Sequence, residues 1–345
     1  MMLHFDSDYM ETCHPLILED LTRINLLKQS GYGTDDICKS AKDKIQKACK
    51  SPNAEIYFLV GGTQTNATVL DGLLQKYEGV IAAKTGHIAI HEAGAIEAGG
   101  HKVIELPCEN GKLSSKTIDD YCSAFFSDGN QEHMVHPGVV YISQPTEYGT
   151  IYSLSELKEI SRICKKYKQK LFVDGARLAY ALGCSQNDVE LSDLAKLTDA
   201  FYIGGTKCGA MCGEAVVIPK PGIIPHFFTI IKQHGALMAK GWLLGIQFDR
   251  LFSDNLYFES GKNGVERAKQ LEEIFKSKGY KIFIESPTNQ KFIVLENAKM
   301  NELANFCTFS FWEKYDENHT VVRFATSWAT TISQIEELET KMEIA

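Results

Sequence analysis

Two segments of this chain end apolar runs in residues capable of chemistry. FVDGAR at 172–177 closes a strand-like run with Asp174 and, three residues on, Arg177. YIGGTKCG at 202–209 closes another with two glycines, a threonine and Lys207. In open α/β sheets ligands sit beyond the carboxyl ends of the strands, so two adjacent strands of this kind would bring Asp174 and Lys207 to one site. A buried aspartate facing a lysine is the pair that pyridoxal phosphate chemistry needs. The lysine holds the cofactor as a Schiff base, and the aspartate keeps the pyridine nitrogen protonated so that the ring draws electrons.

Other segments carry weaker signals. Gly61, Gly62 and Thr63 follow a strand-like run and open a helical one. Free N–H groups at a helix start make an anion site, although glycine after a strand is more often only a turn. GHIAIHEAGA at 86–95 holds His87, His91 and Glu92. Histidines four apart could bind a metal, but the order is not HExxH and no third ligand is evident. An ordinary loop-to-helix entry, or a flat imidazole beside a cofactor ring, explains them equally well. VVRFATSW at 321–328 sets Arg323 inside an apolar strand. A buried arginine needs a partner, either an internal carboxylate or the carboxylate of an amino-acid substrate held in bidentate geometry. GGTK at 204–207 is not a phosphate loop, because its first glycine is missing and Cys208 replaces the Ser/Thr. There is no GxGxxG for a dinucleotide.

These groups must be positioned by an alternating βα pattern. EIYFLV (55–60) reads as a buried strand, then GGTQTN, then the helical ATVLDGLLQKY. VVYIS (139–143) is a second strand, ending at QPTEYG. A helix is predicted over about 154–167, with Ser153 and Glu156 as a capping box. KLFVD, AFYIGG and EAVVIP supply three more strands. Such alternation predicts an α/β fold with a mainly parallel sheet covered on both faces. From about residue 246 the texture changes. KIFIE, KFIVLE and VVRFATSW read as strands, with a helical stretch through Leu303, Phe306 and Phe309 and a last helix capped by Ser333 and Glu336. The expected division is an N-terminal segment, 1–40, packing on the small domain or a neighbour, a cofactor-binding large domain, 41–245, and a small α+β C-terminal domain, 246–345.

Composition narrows the function classes. With 345 residues and a net charge of −8, the chain lacks the basic face of a nucleic-acid binder and is ill suited to an anionic membrane surface. No apolar run approaches the ~18 residues of a membrane helix, and the first residues do not read as a signal peptide. Ten scattered cysteines read as free thiols in a reducing cytoplasm, and Cys208 and Cys212 have no second pair to complete a zinc site, so no metal is expected.

The order of the candidates, phosphate turn, histidine, Asp-x-x-Arg, lysine, late arginine, is that of fold-type I pyridoxal phosphate enzymes. In detail the chain resembles the low-specificity L-threonine aldolase family, within the β-eliminating lyases. FDSDYMETCHP, YGTDD, GGTQTN, HIAIHEAG, QPTEYGTIYSLSEL, FVDGAR, GGTKCGAMCGEA and VRFATSW carry the resemblance. It implies retro-aldol cleavage of L-threonine or L-allo-threonine to glycine and acetaldehyde. The alternative is β-elimination or transamination of another small L-amino acid. By resemblance, Lys207 would hold the cofactor, Asp174 its pyridine nitrogen and Arg177 its phenolic oxygen. Gly62 and Thr63 would take the phosphate, and His87 would stack on the ring. Ser7 and Arg323 would bind the substrate carboxylate. Tyr32 would come from a neighbouring subunit of a homotetramer, and Lys232 and Lys240 fall in a phosphate-contacting segment. The family's best-known branch has Arg-Ser-Asp-Thr where this chain reads Asp6-Ser7-Asp8-Tyr9, and Thr-His-Asn where it reads Thr146-Glu147-Tyr148. The second change removes a histidine near the substrate hydroxyl, leaving the base there to His87 or to a water held by Glu147 or His91.

Overall fold

Alternate residues of the central strands enter two separate apolar clusters. In His136–Ser143, Val140 and Ile142 join one cluster while Val139 and Tyr141 join the other. Leu171 and Val173 oppose Phe172 in Lys170–Asp174, and Phe201 and Ile203 oppose Ala200 and Tyr202 in Ala200–Gly204. A strand points successive side chains to opposite faces, so residues apolar at both parities demand helices on both sides of the sheet. The structure, a computed structural model, describes residues 2–344 and supplies that cover.

The sheet has seven strands in the order Glu55–Leu59, Glu214–Ile218, Ala200–Gly204, Lys170–Asp174, His136–Ser143, Glu78–Ala83 and Val103–Leu106. It is mainly parallel, as expected. The exception is Glu214–Ile218, which runs antiparallel to both its neighbours. Glu55–Leu59 is therefore an edge strand. Its partly exposed Tyr57 and Phe58 correct the reading of a buried strand. Glu78–Ala83 and Val103–Leu106 were not foreseen in the sequence.

Helix Leu154–Lys166 starts at a true capping box. The Ser153 side chain accepts from the Glu156 N–H and the Glu156 carboxylate accepts from the Ser153 N–H. The last helix differs from expectation. It begins at Ile332, and the reciprocal pair is Thr331 with Gln334 rather than Ser333 with Glu336. The predicted helix through Phe309 stops at Leu303. Cys307–Thr308 and Ser310–Lys314 then run as strands, because Phe309 stacks on Phe324 of the neighbouring strand instead of following a helical face.

The C-terminal part is an antiparallel sheet in the order Ser310–Lys314, His319–Ala325, Gln290–Glu296, Lys281–Ile284. Leu3–His4 pairs in parallel with Cys307–Thr308, so the start of the chain is sewn to this end. The following helices Pro15–Ile24 and Asp36–Ala48 instead pack against Trp242–Leu251. Among the described residues no helix is long and apolar enough to cross a membrane.

Helix Leu256–Ser277 lies against Leu178–Leu182, the short helix that follows Arg177. The crossing is close because Gly261 sits on the Ala179 carbonyl, which a Cβ would overlap. Gly261→Ala should therefore lower stability by about 1–3 kcal/mol through overpacking. A urea denaturation midpoint unchanged from wild type would contradict this account of the packing.

Candidate active site

The two chemistry-bearing segments meet because their glycines let backbone touch backbone. The Gly204 N–H donates to the Gly175 carbonyl at 2.9 Å. A Cβ at Gly175 would overlap the Tyr202 carbonyl, and one at Gly204 would overlap that of Ala176. The ends of Lys170–Asp174 and Ala200–Gly204 are thereby pressed together, with Asp174 at one tip and Lys207 in the turn beyond the other.

Asp174 lies on the same sheet face as Phe172, Tyr141 and Tyr202 and is fully buried. Its carboxylate accepts from Tyr141 Oη (2.6 Å), Tyr202 Oη (2.5 Å), Asn66 Nδ2 (3.0 Å) and the Ala176 N–H (2.9 Å). Burial pushes the carboxyl up. The charge of His87 and the Tyr141, Tyr202 and Ala176 donors outweigh that and hold it below the ordinary value. It is thus an ionised group deep in the protein, and among the described residues no ion pair reaches it. A buried anion of this kind suits a cation brought by a ligand.

Helix Gly62–Leu73 aims its start at the same place. Gly62 lies against the Tyr202 hydroxyl, which a Cβ would approach to 3.3 Å, and Asn66, one turn on, reaches Asp174. The first N–H groups of a helix have no partner within it, so Gly62 and Thr63 offer donors to an anion. Asn66 Nδ2 also donates to Glu92 Oε1 at 2.7 Å, and the same oxygen meets His87 Nδ1 at 2.6 Å. A buried chain His87–Glu92–Asn66–Asp174 results. Burial pushes the His87 imidazole down, but the Glu92 hydrogen bond and the charges of Glu147, Asp174 and Glu92 carry it above its ordinary value.

Lys207 follows a rigid turn. The Gly205 N–H (3.1 Å) and Thr206 Oγ1 (2.8 Å) both donate to the buried carboxyl of Glu214, and the Lys207 carbonyl accepts from Tyr180 Oη at 2.5 Å. The Lys207 amine itself has no hydrogen-bond partner among the described residues, and its nearest ring is Tyr9, 6.0 Å from Nζ. Burial pushes Glu214 up to about 8, even against the pull of Thr206 and Lys207.

Above Lys207 opens a cleft of about 480 Å³ walled by His87, His91, Glu147, Arg177 and Arg323, with aromatic sides from Tyr148 and Trp312. Arg177 is clamped by Asp8 through Nε (2.6 Å) and Nη2 (3.0 Å), and Asn289 adds a third bond to Asp8. Burial raises Asp8, but Arg177 and Lys207 outweigh it and bring the carboxyl to about 2. Arg323 donates to the Asp6 carbonyl (2.9 Å), Ser310 Oγ (3.1 Å) and Gln290 Oε1 (3.1 Å). Its Nε and the Ser7 hydroxyl are both buried without a partner. Unsatisfied buried donors are costly, so an arginine and an adjacent serine left this way fit an incoming carboxylate.

The structure thus gathers Lys207, Asp174, His87, Gly62, Thr63, Arg177, Glu147, Arg323 and Ser7. It does not gather Tyr32. That residue lies at a separate cavity with Lys42, Tyr57, Phe228 and Met238, and Lys232 Nζ is 4.9 Å from its ring centre. Lys240 adjoins Ala239, whose carbonyl accepts from the Tyr32 N–H. Sequence reasoning missed Tyr141, Tyr202 and Asn66 around Asp174, Glu214 under Lys207, and Trp312 in the wall. A tyrosine inside an otherwise apolar strand was the available signal, since a buried hydroxyl seeks a partner.

Two outcomes follow from these contacts. Asp8→Ala leaves Arg177 buried with an uncompensated charge, and stability should drop by about 3–5 kcal/mol; a loss under about 1 kcal/mol in urea denaturation would show that the pair does not hold this wall. Glu214 has a folded value of about 8 against an ordinary 4.5, so the stability it contributes is full below 4.5 and is lost as pH rises through about 8. Between about pH 6 and about pH 9 the wild type should therefore lose more stability than Glu214→Gln. Parallel denaturation midpoints for the two proteins would refute this.

The β-eliminating lyase family model matches residues 5–298. Low specificity L-threonine aldolase of Pseudomonas aeruginosa is 30% identical over 344 residues, covering 97% of this chain and 95% of that one. A solved structure of threonine aldolase from Leishmania major superposes with a TM-score of 0.94 at 44% identity, covering 99% of this chain and 98% of that one. Aspartate aminotransferase of Thermus thermophilus, 13% identical with a TM-score of 0.72 over 99% and 91% of the two chains, shares the fold alone. The mainly parallel sheet with its antiparallel C-terminal domain is that of fold-type I pyridoxal phosphate enzymes, and the chain belongs to the β-eliminating lyase family.

Proposed function

We propose that this lyase cleaves L-threonine or L-allo-threonine to glycine and acetaldehyde, with pyridoxal phosphate carried on Lys207. The observation that carries the reading is a cleft lined by Lys207, whose amine has no hydrogen-bond partner among the described residues, and by Arg323, whose Nε, like the Ser7 hydroxyl, is buried and unused, with the buried ionised Asp174 at the adjoining strand end. When bound, the cofactor serves as an electron sink for the pair released at Cα. The remaining work belongs to this chain. Asp174, kept ionised by the His87 charge and by Tyr141, Tyr202 and Ala176, would hold a proton on the ring nitrogen. Gly62 and Thr63, at the helix start, would hold the phosphate. Arg177, fixed by Asp8, would take the phenolic oxygen, and His87, fixed by Glu92, would pack on the ring.

Arg323 and Ser7 take the substrate carboxylate, and Glu147 lines the same cleft. A carboxylate fixed there would orient the Cα–Cβ bond for cleavage. Cleavage leaves the bonding pair on Cα, takes the hydroxyl proton from the β-oxygen, turns that C–O bond into a carbonyl, and adds a proton at Cα. Tyr32, being remote from Lys207, would serve the cleft of a neighbouring copy in a homotetramer. Ten unpaired thiols suit a cytoplasmic setting.

Acetaldehyde release, read with an alcohol dehydrogenase couple on cofactor-loaded protein, tests the reading with each substrate separately. Release that disappears in Lys207→Ala is the expected result. A loaded, yellow protein that releases none would redirect the assignment to β-elimination or transamination.

A further inference from the structure

The cleft holds two imidazoles in unlike states. His87 is largely covered, its Nδ1 is tied to Glu92 at 2.6 Å, and its surroundings favour the protonated form. His91 is exposed at the cleft and, among the described residues, neither of its ring nitrogens has a hydrogen-bond partner. Its imidazole is pushed down first by burial. Glu147 opposes that, while His87, Arg323 and Arg177 add to it. The neutral, proton-accepting form therefore prevails near neutral pH.

The geometry ties His91 to the carboxylate anchor. The Trp312 indole stands 6.4 Å from the His91 ring and 5.8 Å from the Arg323 guanidinium carbon. The His87 ring is 5.7 Å from that of His91 on the other side. Arg323, Trp312, His91 and His87 form one continuous arc of the wall. Lys207 lines the same cleft as this arc. Of the other polar groups lining the cleft, Arg177 is engaged by Asp8, Ser310 by Asp6 and Arg323, and Thr85 by Cys108, while Tyr9, Glu147 and Glu313 line it as well.

We propose that His91 is the base that removes the β-hydroxyl proton, with the Trp312 indole setting its distance from the Arg323 anchor. This rests on the cleavage reading above. One His91 nitrogen accepts the hydroxyl proton as the β-carbon–oxygen bond becomes a carbonyl, and the Cα–Cβ pair stays with the glycine fragment. The imidazolium formed faces the Glu147 carboxylate, which offsets its charge. The proton then passes to solvent through the open cleft.

The test compares two reactions of the holoenzyme. Acetaldehyde release from L-threonine needs a base for the hydroxyl. Exchange of the glycine Cα hydrogen with deuterated solvent, followed by NMR, does not, because glycine has no hydroxyl. His91→Phe keeps a flat ring and removes both nitrogens, and His91→Asn is the second variant. The expected result is a fall of about 10²–10⁴-fold in kcat for cleavage, with KM and glycine exchange within about threefold of wild type. The acid limb of the kcat/KM pH profile should vanish with it. Cleavage within about threefold of wild type in both variants, or glycine exchange falling in step with cleavage, would overturn the assignment. A wild type that exchanges glycine but releases no acetaldehyde would overturn the cleavage reading itself, and the role of His91 with it.

Discussion

A carboxylate kept charged at the buried end of a strand is the constraint around which this molecule is arranged. Removing Asp174 from water is expensive, and among the described residues no ion pair reaches it, although the charge of His87 favours its ionised form. The fold meets that cost with donors from four elements. Tyr141 and Tyr202 come from the flanking strands, Asn66 from the helix that starts at Gly62, and the Ala176 N–H from the turn just beyond. Each donor stabilises the ionised form, and together they leave a buried negative site suited to a cationic group.

Close backbone approach puts this strand end beside the turn that carries the lysine. Gly175 and Gly204 permit the two strand ends to touch, so the Asp174 tip and the Lys207 turn share one wall. Glu214 then pins the turn from beneath by accepting from Gly205 and Thr206. That role depends on the single antiparallel strand. Because Glu214–Ile218 runs backwards, its first residue, not its last, arrives at the functional edge of the sheet. The reversal that departs from a uniform parallel sheet is therefore part of the site.

The opposite wall is assembled from the two ends of the chain. Leu3–His4 pairs with Cys307–Thr308, which carries Asp6, Ser7 and Asp8 over the cleft. Asp6 offers its carbonyl to Arg323, and Asp8 locks Arg177. The N-terminal segment thus serves both arginines, fixing one and leaving the other with a spare donor beside Ser7. The segment that closes the sheet thus also sets which arginine donors are used and which stay free.

The chemistry-bearing residues were legible in the sequence because their signals are local. Alternation of apolar residues marked the strands, and Asp174, Lys207 and the Gly62 turn stand at their ends, where an α/β sheet places ligands. Ser153 and Glu156 marked a helix start by their own spacing. The two missed strands, the true start of the last helix and the strand at Ser310–Lys314 were settled by neighbours that no short window contains. So were the partners of the site. Asp8 meets Arg177 across 169 residues, Asp6 meets Arg323 across 317, and Asn66 meets Asp174 across 108. The sequence by itself determined which side chains could do chemistry. Only the tertiary structure decided which of them stay charged, which are clamped, and which, like His91 and the Ser7 hydroxyl, are left without a partner, because those properties depend on burial and on contacts between distant segments.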